Sequence, residues 1–354
     1  MESFSGSRLA LARKRRGLTK KYLAELVGVS PAALSGYESE ESSKAPSEVT
    51  LAALARILGF PRAFFYHAEI EPIRSEAVNF RARTKLTRKQ RDCSLASGDL
   101  AVILDKWIDR WFTLPSLDLP DCTGMDPETA AICVRSAWAL GTLPIRNMID
   151  ILELHGVRVF ALPEKHVEVD AFSFWNEDSG RPYILLNTKK SGERGRMDAA
   201  HELGHLVMHR HASLDEGDRS IENEANEFAS CFLMPASDIH RYEYQNASMD
   251  DLIMLKKRWR VSLSALIFRL RRLDLLTEWK YHSFYKQLSA RGMRVKEPNP
   301  IKREQSQVLA KVVESLESNG EGLAGVADDL SIPYDEICKL MFRPPILVIR
   351  GGKK

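Results

Sequence analysis

The chain has 354 residues, of which 44% are hydrophobic and 28% are charged, and its formal net charge is +3. This composition is typical of a globular protein with two or three domains and excludes disordered and fibrous classes. No apolar run approaches the roughly 18 to 20 residues that cross a bilayer, and the five cysteines never form a C-x-x-C pair, so we expect a cytoplasmic protein with reduced thiols.

The first part of the chain predicts short amphipathic helices separated by brief turns. In TKKYLAELVGVSPAALSGYE, Thr19 is a predicted N-cap, Gly28 ends the first helix and Ser30 caps the second, which predicts a helix, a tight turn and a helix. The segment resembles the XRE/Cro-type helix-turn-helix family. That resemblance implies a five-helix DNA-binding module over residues 1–70.

The recognition helix of such a module is predicted over Ser30–Glu38. The positions that face bases in this family are occupied here by small or apolar residues, Pro31, Ala32, Ala33 and Gly36. Base edges are read mostly by bidentate Arg, Asn and Gln side chains, which this helix lacks. Two interpretations stay open: a DNA reader, or a helical module for packing or dimerisation with only backbone-level DNA contact.

Basic residues are concentrated in two runs that contain no acidic residue, RKRRGLTKK at 13–21 and RARTKLTRKQR at 81–91. Such runs indicate either local nucleic-acid contact or a solvated basic face. Residues 71–98, which include the second run, show no clear hydrophobic periodicity and are predicted to be a basic linker. Helical spacing returns at 99–113.

The rest of the chain predicts a fold that is mainly α with a small β-sheet (α+β). VRVFALP, AFSFW and YILLN are predicted strands, and the last of them, Tyr183–Asn187, is expected to pair with an extended substrate backbone. We expect one domain, built around this sheet, over 99–275. Residues 276–354 predict a C-terminal helical or winged-helix-like domain, either regulatory or a packing lid.

A metal-binding pattern occurs in HELGHLVMHRH, residues 201–211. His201 and His205 are four residues apart on a predicted helix, so both imidazoles lie on one face and can bind one ion. Zinc lowers the pKa of a bound water to about 7, and Glu202 is placed to accept its proton as general base and then to act as general acid. The alternative is a chance H-E-x-x-H in an ordinary amphipathic helix.

The third metal ligand has several candidates. His209 would lie about 12 Å along the helix axis from His201, too far for one ion unless the helix breaks. His211 has metzincin spacing, but that pattern needs glycine where this chain has Met208. The remaining candidates are the carboxylates of IENEANEFASCFLMP, on a second predicted helix.

HELGH and ENEANEFASCFLMP together resemble the two motifs of the ImmA/IrrE family of bacterial zinc metallopeptidases. This resemblance and a gluzincin-like E-x-x-x-N spacing imply Zn²⁺ as the cofactor, Glu222 as third ligand and Asn226 as the residue that orients a ligand histidine, with Glu224 as the alternative ligand. The family implies a zincin-like metallopeptidase domain over 99–275. It also implies a cytoplasmic endopeptidase that cleaves a helix-turn-helix repressor, usually encoded beside it, and so derepresses stress, mobile-element or anti-phage genes.

Some members of this family are tied to CBASS anti-phage operons. The resemblance to them implies a latent enzyme that is activated by single-stranded DNA. Cys93 follows a basic run, and a nearby cation favours the thiolate that binds zinc, so Cys93 is a candidate inhibitory ligand in the fourth position. The alternative is an inert linker cysteine. A different class of function is a DNA-binding transcriptional regulator that uses the zinc site as a structural or sensing element.

Overall fold

The computed structural model describes residues 3–39, 44–74, 78–82, 86–162, 169–210 and 219–343. These residues form 16 α-helices, one 3-10 helix and four strands, which confirms the predicted α+β class. Among them, no helix combines the length and the apolar character that crossing a membrane requires. In chain order the elements are α1 (Gly6–Arg15), α2 (Lys20–Val27), α3 (Pro31–Tyr37), α4 (Glu48–Leu58), the 3-10 helix (Arg62–Tyr66), β1 (Asn79–Ala82), α5 (Arg88–Trp111), α6 (Pro127–Ala137), α7 (Met148–Leu154), β2 (Arg158–Leu162), β3 (Val169–Asn176), β4 (Arg181–Asn187), α8 (Gly192–Met208), α9 (Arg219–Leu233), α10 (Ala236–Ile239), α11 (Met249–Trp259), α12 (Leu263–Arg272), α13 (Glu278–Ala290), α14 (Gln307–Ser318), α15 (Leu323–Leu330) and α16 (Tyr334–Leu340).

The sheet has the strand order β1-β3-β4-β2. β2 and β4 are parallel, whereas β3 runs antiparallel to both β4 and β1. Tyr183 of β4 pairs with Arg158 on one side and with Phe174 on the other. The prediction that Tyr183–Asn187 pairs with a substrate is therefore wrong, because both edges of this strand are already hydrogen-bonded within the sheet.

Both faces of the sheet are buried, in two separate hydrophobic clusters. Tyr183 and Leu185 face a cluster that includes the N-terminal helices, α5 and α14–α16. Ile184 and Leu186 face the other cluster, with α6–α9 and α11–α13. This alternation follows the two-residue period of a strand. It places α8 and α9 together on the second face, where the candidate site lies.

Helix α5 starts eleven residues earlier than predicted, at Arg88 instead of Asp99. Thr87 begins it with a capping box, and the last part of the predicted linker is therefore helical. The buried face of this extra segment includes Ser94 and Ser97, both fully buried. Small polar residues on a buried face give no hydrophobic periodicity, which explains why the sequence pattern missed this part of the helix.

The basic run at 13–21 is largely used inside the molecule. Arg15 and Arg16 contact the buried carboxylate of Glu336 in α16, at 2.8 and 2.7 Å. Arg13 makes a bidentate contact with Glu38 at 2.6 and 2.8 Å. The interpretation of this run as a solvated basic face is therefore wrong for these arginines, which compensate buried carboxylates. Arg15 and Arg16 also link α1 to α16 near the other end of the chain.

The C-terminal part is helical, as predicted. Its described residues, up to Arg343, contain no strand, so a winged helix is not formed within them. Phe284 and Leu288 of α13 are buried in the same cluster as α8 and α9, whereas α14–α16 belong to the cluster of the N-terminal helices. The C-terminal segment thus contacts both halves of the molecule.

We expect Asp99→Asn to stabilise the protein more at pH 8 than at pH 4.5. Asp99 is buried and accepts a hydrogen bond from the backbone N–H of Ile73 at 2.9 Å. Burial raises its pKa to about 7, against the smaller lowering effects of this bond and of Lys14. An unfolded aspartate has a pKa of about 3.9, so the stability that the protonated group contributes below that pH is lost as the pH rises towards 7.

Asparagine keeps the accepting oxygen and removes the charge. Calorimetry should show that the Tm gain of Asp99→Asn over wild type is a few degrees larger at pH 8 than at pH 4.5. The exposed Asp250 supplies the matched control, because Asp250→Asn should change the Tm by the same small amount at both pH values. An equal Tm gain for Asp99→Asn at pH 4.5 and pH 8 would contradict the assignment.

Candidate metal centre

Two histidines of α8 and one glutamate of α9 converge at one point. The Nε2 atoms of His201 and His205 are 3.0 Å apart. The carboxylate of Glu222 lies 3.5 Å from Nε2 of His201 and 3.3 Å from Nε2 of His205. Both imidazoles are buried, because the four-residue spacing places them on the helix face that α9 covers.

The three side chains fit a single metal ion. Two atoms that each bind a tetrahedral zinc at about 2.1 Å are separated by about 3.4 Å, close to the three distances of this group. In the part of the chain that the structure describes, His201, His205 and Glu222 are the one group of three metal-binding side chains close enough to share an ion. Two imidazoles and a carboxylate are a usual ligand set for catalytic zinc.

Close packing of α8 on α9 brings the glutamate to the histidines. A Cβ atom at Gly204 would lie 3.0 Å from the ring of Phe228, so this glycine allows the two helices to approach. Glu222 remains partly exposed, which leaves the centre accessible from one side. Burial raises the pKa of Glu222, but hydrogen bonds and charges from His201 and His205 outweigh it and hold that pKa well below its usual range.

Asn226 contacts the imidazole of His201. Its Oδ1 lies 3.1 Å from Nδ1 of His201, and its Nδ2 donates to the backbone carbonyl of Glu222 at 2.7 Å. Because Oδ1 can only accept, Nδ1 carries the proton and the lone pair of Nε2 points to the metal position. One side chain therefore sets the tautomer of one candidate ligand and contacts the backbone of another.

His205 is supported by a chain of two further residues that the sequence pattern did not identify. Its Nδ1 lies 3.1 Å from Nδ1 of His209, whose Nε2 lies 3.0 Å from the carboxylate of Glu224. His209 is buried at the end of α8, where it joins His205 to Glu224. Glu224 contacts His209 instead of the metal group, which corrects the alternative that made it a ligand.

His211 and Cys93 were also predicted as candidate metal ligands. His211 lies outside the described residues. Cys93 lies on α5 and faces α1, where its thiol donates to the backbone carbonyl of Arg15 at 3.2 Å and accepts from the Arg15 guanidinium at 3.3 Å. The metal group does not include Cys93. The prediction that this thiol occupies the fourth metal position is therefore wrong for this structure, because α5 turns the side chain towards the N-terminal module.

Glu202 is fully buried beside the two histidines. Its carboxylate accepts a hydrogen bond of 2.6 Å from the hydroxyl of Ser173, on β3. Ser173 also pairs through its backbone with Asn79 of β1. The contact ties the proposed general base to the sheet, and only a spatial arrangement could reveal it, since the two residues are 29 positions apart.

Replacement of Asn226 should weaken metal binding without removing a ligand. We expect Asn226→Ala to lower zinc affinity about 10- to 100-fold, because the tautomer and ring orientation of His201 are no longer set. Competition with a chromophoric chelator measures the change. Asn223 is an exposed asparagine on the same helix, so Asn223→Ala is the matched control, and equal affinities for the two variants would contradict the orienting role.

Comparison with known protein families gives two matches. Residues 152–271 match the family model described as the IrrE N-terminal-like domain, peptidase family M78, and residues 9–65 match the helix-turn-helix family model. No curated protein matches the chain. The two matches confirm the predicted order of a helix-turn-helix module followed by an ImmA/IrrE-like segment, and they support a regulator of the peptidase type. All three residues of the metal group lie in the segment that matches the peptidase family.

Proposed function

We propose that this protein is a zinc-dependent endopeptidase that cleaves a helix-turn-helix transcriptional repressor and thereby derepresses stress or anti-phage defence genes. The observation that carries the proposal is the convergence of His201, His205 and Glu222 beside the buried carboxylate of Glu202. This arrangement lies within the segment that matches a peptidase family. In this proposal residues 99–275 form the catalytic unit and residues 276–354 a regulatory one.

Each side chain has a distinct task in the proposed reaction. His201, His205 and Glu222 would hold the ion, and a bound zinc ion supplies Lewis acidity to the scissile carbonyl and to the attacking water. Glu202 accepts the proton of that water and then delivers it to the leaving amine. Ser173 keeps the Glu202 carboxylate in place through its hydroxyl.

The exposed side chains of α3 do not favour a role in reading a DNA sequence. In α3 the exposed residues are Pro31, Ala32 and Ser35, none of which offers a bidentate contact to a base. Single-stranded DNA is proposed as the activating signal, on the resemblance to metallopeptidases of CBASS operons. The rival function is a DNA-binding transcriptional regulator whose metal site is structural or sensing, which the helix-turn-helix match favours.

The test uses the full-length, zinc-loaded chain and the helix-turn-helix repressor encoded beside it. Incubation with and without single-stranded DNA, followed by mass spectrometry of the repressor, should reveal one or a few cleaved bonds. A chelator should stop the cleavage and added zinc should restore it. An intact repressor under all conditions, together with a DNA footprint that survives chelation, would favour the rival function.

A further inference from the structure

A cavity of about 420 Å³ lies away from the metal group, at the other end of α8. Leu162 and Asn187 end the parallel strands β2 and β4 in its wall, and the first turn of α8 follows directly. Phe342, just after α16, is also part of the wall. The volume is within the usual range for small-molecule sites, and the carboxyl ends of parallel strands are where such ligands commonly bind.

The wall of this cavity is strongly cationic. Among the described residues of the wall, one carboxylate, that of Glu304, accompanies six cationic side chains, which belong to Lys189, Lys190, Arg196, Arg303, Lys339 and Arg343. Lys190, Arg196, Lys339 and Arg343 have carboxylate partners. Among the described residues, no ion pair is formed by Lys189 or Arg303. Two uncompensated cations beside a helix N-terminus, whose N–H groups attract negative charge, favour an anion.

Arg196 places a buried cation in the wall of the cavity. Its side chain is almost fully buried in the cavity wall. Its terminal nitrogens donate to Glu304 and to the backbone carbonyl of Ile145, whereas its Nε has no hydrogen-bond partner among the described residues. The buried guanidinium thus adds a positive charge to the cavity wall, and Glu304 is its carboxylate partner.

Gly195 opens the cavity towards α8. It is the fourth residue of the helix, and a Cβ atom built there would have no atom within 4 Å. Glycine inside a helix costs about 1 kcal/mol relative to alanine, and one use of glycine is to let a ligand approach the backbone. The open space at Gly195 thus marks where the body of a ligand passes over α8.

Part of the remaining wall is apolar, from Ile149, Leu162, Leu186 and Phe342. We propose that this cavity binds a small organic phosphate, whose phosphoryl group faces Lys189, Arg303 and the start of α8 and whose apolar part lies on these side chains. A dianionic phosphate suits the two uncompensated cations and the helix N-terminus. The inference goes beyond the proposed function and does not depend on it, because binding needs no catalysis.

Thermal unfolding of the zinc-loaded, full-length protein tests this site with phenyl phosphate as the probe. A saturable rise in Tm of about 2 to 4 °C is expected at concentrations well above Kd. Inorganic phosphate should give a smaller shift and phenol none. An equal shift with benzoate would overturn the assignment of a phosphate, and the absence of any saturable shift would overturn the site.

Gly195→Leu adds a side chain at a position whose Cβ atom would have no atom within 4 Å, and it should abolish the response to phenyl phosphate. Gly325 in α15 provides the matched control, since a Cβ atom there also has no atom within 4 Å and the residue lies outside the cavity. Gly325→Leu should keep the full shift. A full shift in Gly195→Leu would overturn the proposal, as would a shift that an oligothymidine produces and phenyl phosphate does not.

Discussion

Glu202→Gln is expected to abolish repressor cleavage while metal content and folding stay as in wild type. Glutamine keeps the size of the side chain and an oxygen that still accepts from Ser173, but it cannot take a proton from water. General acid–base catalysis contributes roughly 10² to 10⁴ in rate, so we expect a loss of at least about 10³ in kcat/KM when both proton transfers fail. Cleavage is followed by gel densitometry and metal content by mass spectrometry.

Glu227→Gln is the matched control for this substitution. Glu227 lies on α9, close in sequence to the metal group, and is partly exposed in an ion pair with Arg272. Surface ion pairs contribute little, so this variant should cleave at the wild-type rate. Wild-type cleavage by Glu202→Gln would remove Glu202 from the mechanism, whereas loss of zinc from that variant would show a structural role instead.

Glu222→Ala is expected to weaken zinc binding by at least about 100-fold, because it removes one of three protein ligands, a larger change than the loss of an orienting partner. Glu224→Ala should weaken it by no more than about 10-fold, since Glu224 acts on His205 only through His209. Chelator competition at pH 7.5 gives both affinities. The comparison separates the two glutamates that the resemblance left as alternatives.

The reverse order of these affinities would assign the ligand to Glu224 and contradict the geometry of the site. Circular dichroism of both apo variants controls for unfolding. If Glu222→Ala loses metal, it should also lose cleavage, and excess zinc should restore part of it. Full cleavage with no bound metal would contradict the proposed function as well as the ligand.

Local spacing was enough to predict two of the three side chains of the metal group. His201 and His205 follow from the helical period, which needs only their own segment. Glu222 is 17 residues after His205, and its approach depends on how α9 packs against α8. Spacing alone could not show that packing, and the choice of Glu222 rested on the family resemblance.

The features that sequence analysis missed depend on tertiary contacts. His209 has the same four-residue spacing after His205 as His205 has after His201, but its burial comes from α9 and Glu224. The central position of β4 requires knowledge of both of its neighbours in the sheet. Cys93 resembled a metal ligand because its basic neighbours were visible in the sequence, whereas its contact with Arg15 spans 78 positions.

Strand β1 has a consequence for any peptide that binds by strand addition. It comes from the segment between the helix-turn-helix module and the rest of the chain, and it occupies the outer edge of β3 directly beside Ser173. A peptide seeking those backbone hydrogen bonds must displace β1, which is tethered and therefore present at an effective concentration of about millimolar. β1 has only four residues and an irregular register at Arg81 and Ala82. A peptide that competes with β1 for this edge therefore faces mainly the high effective concentration of the tethered strand, and less the strength of the β1–β3 pairing.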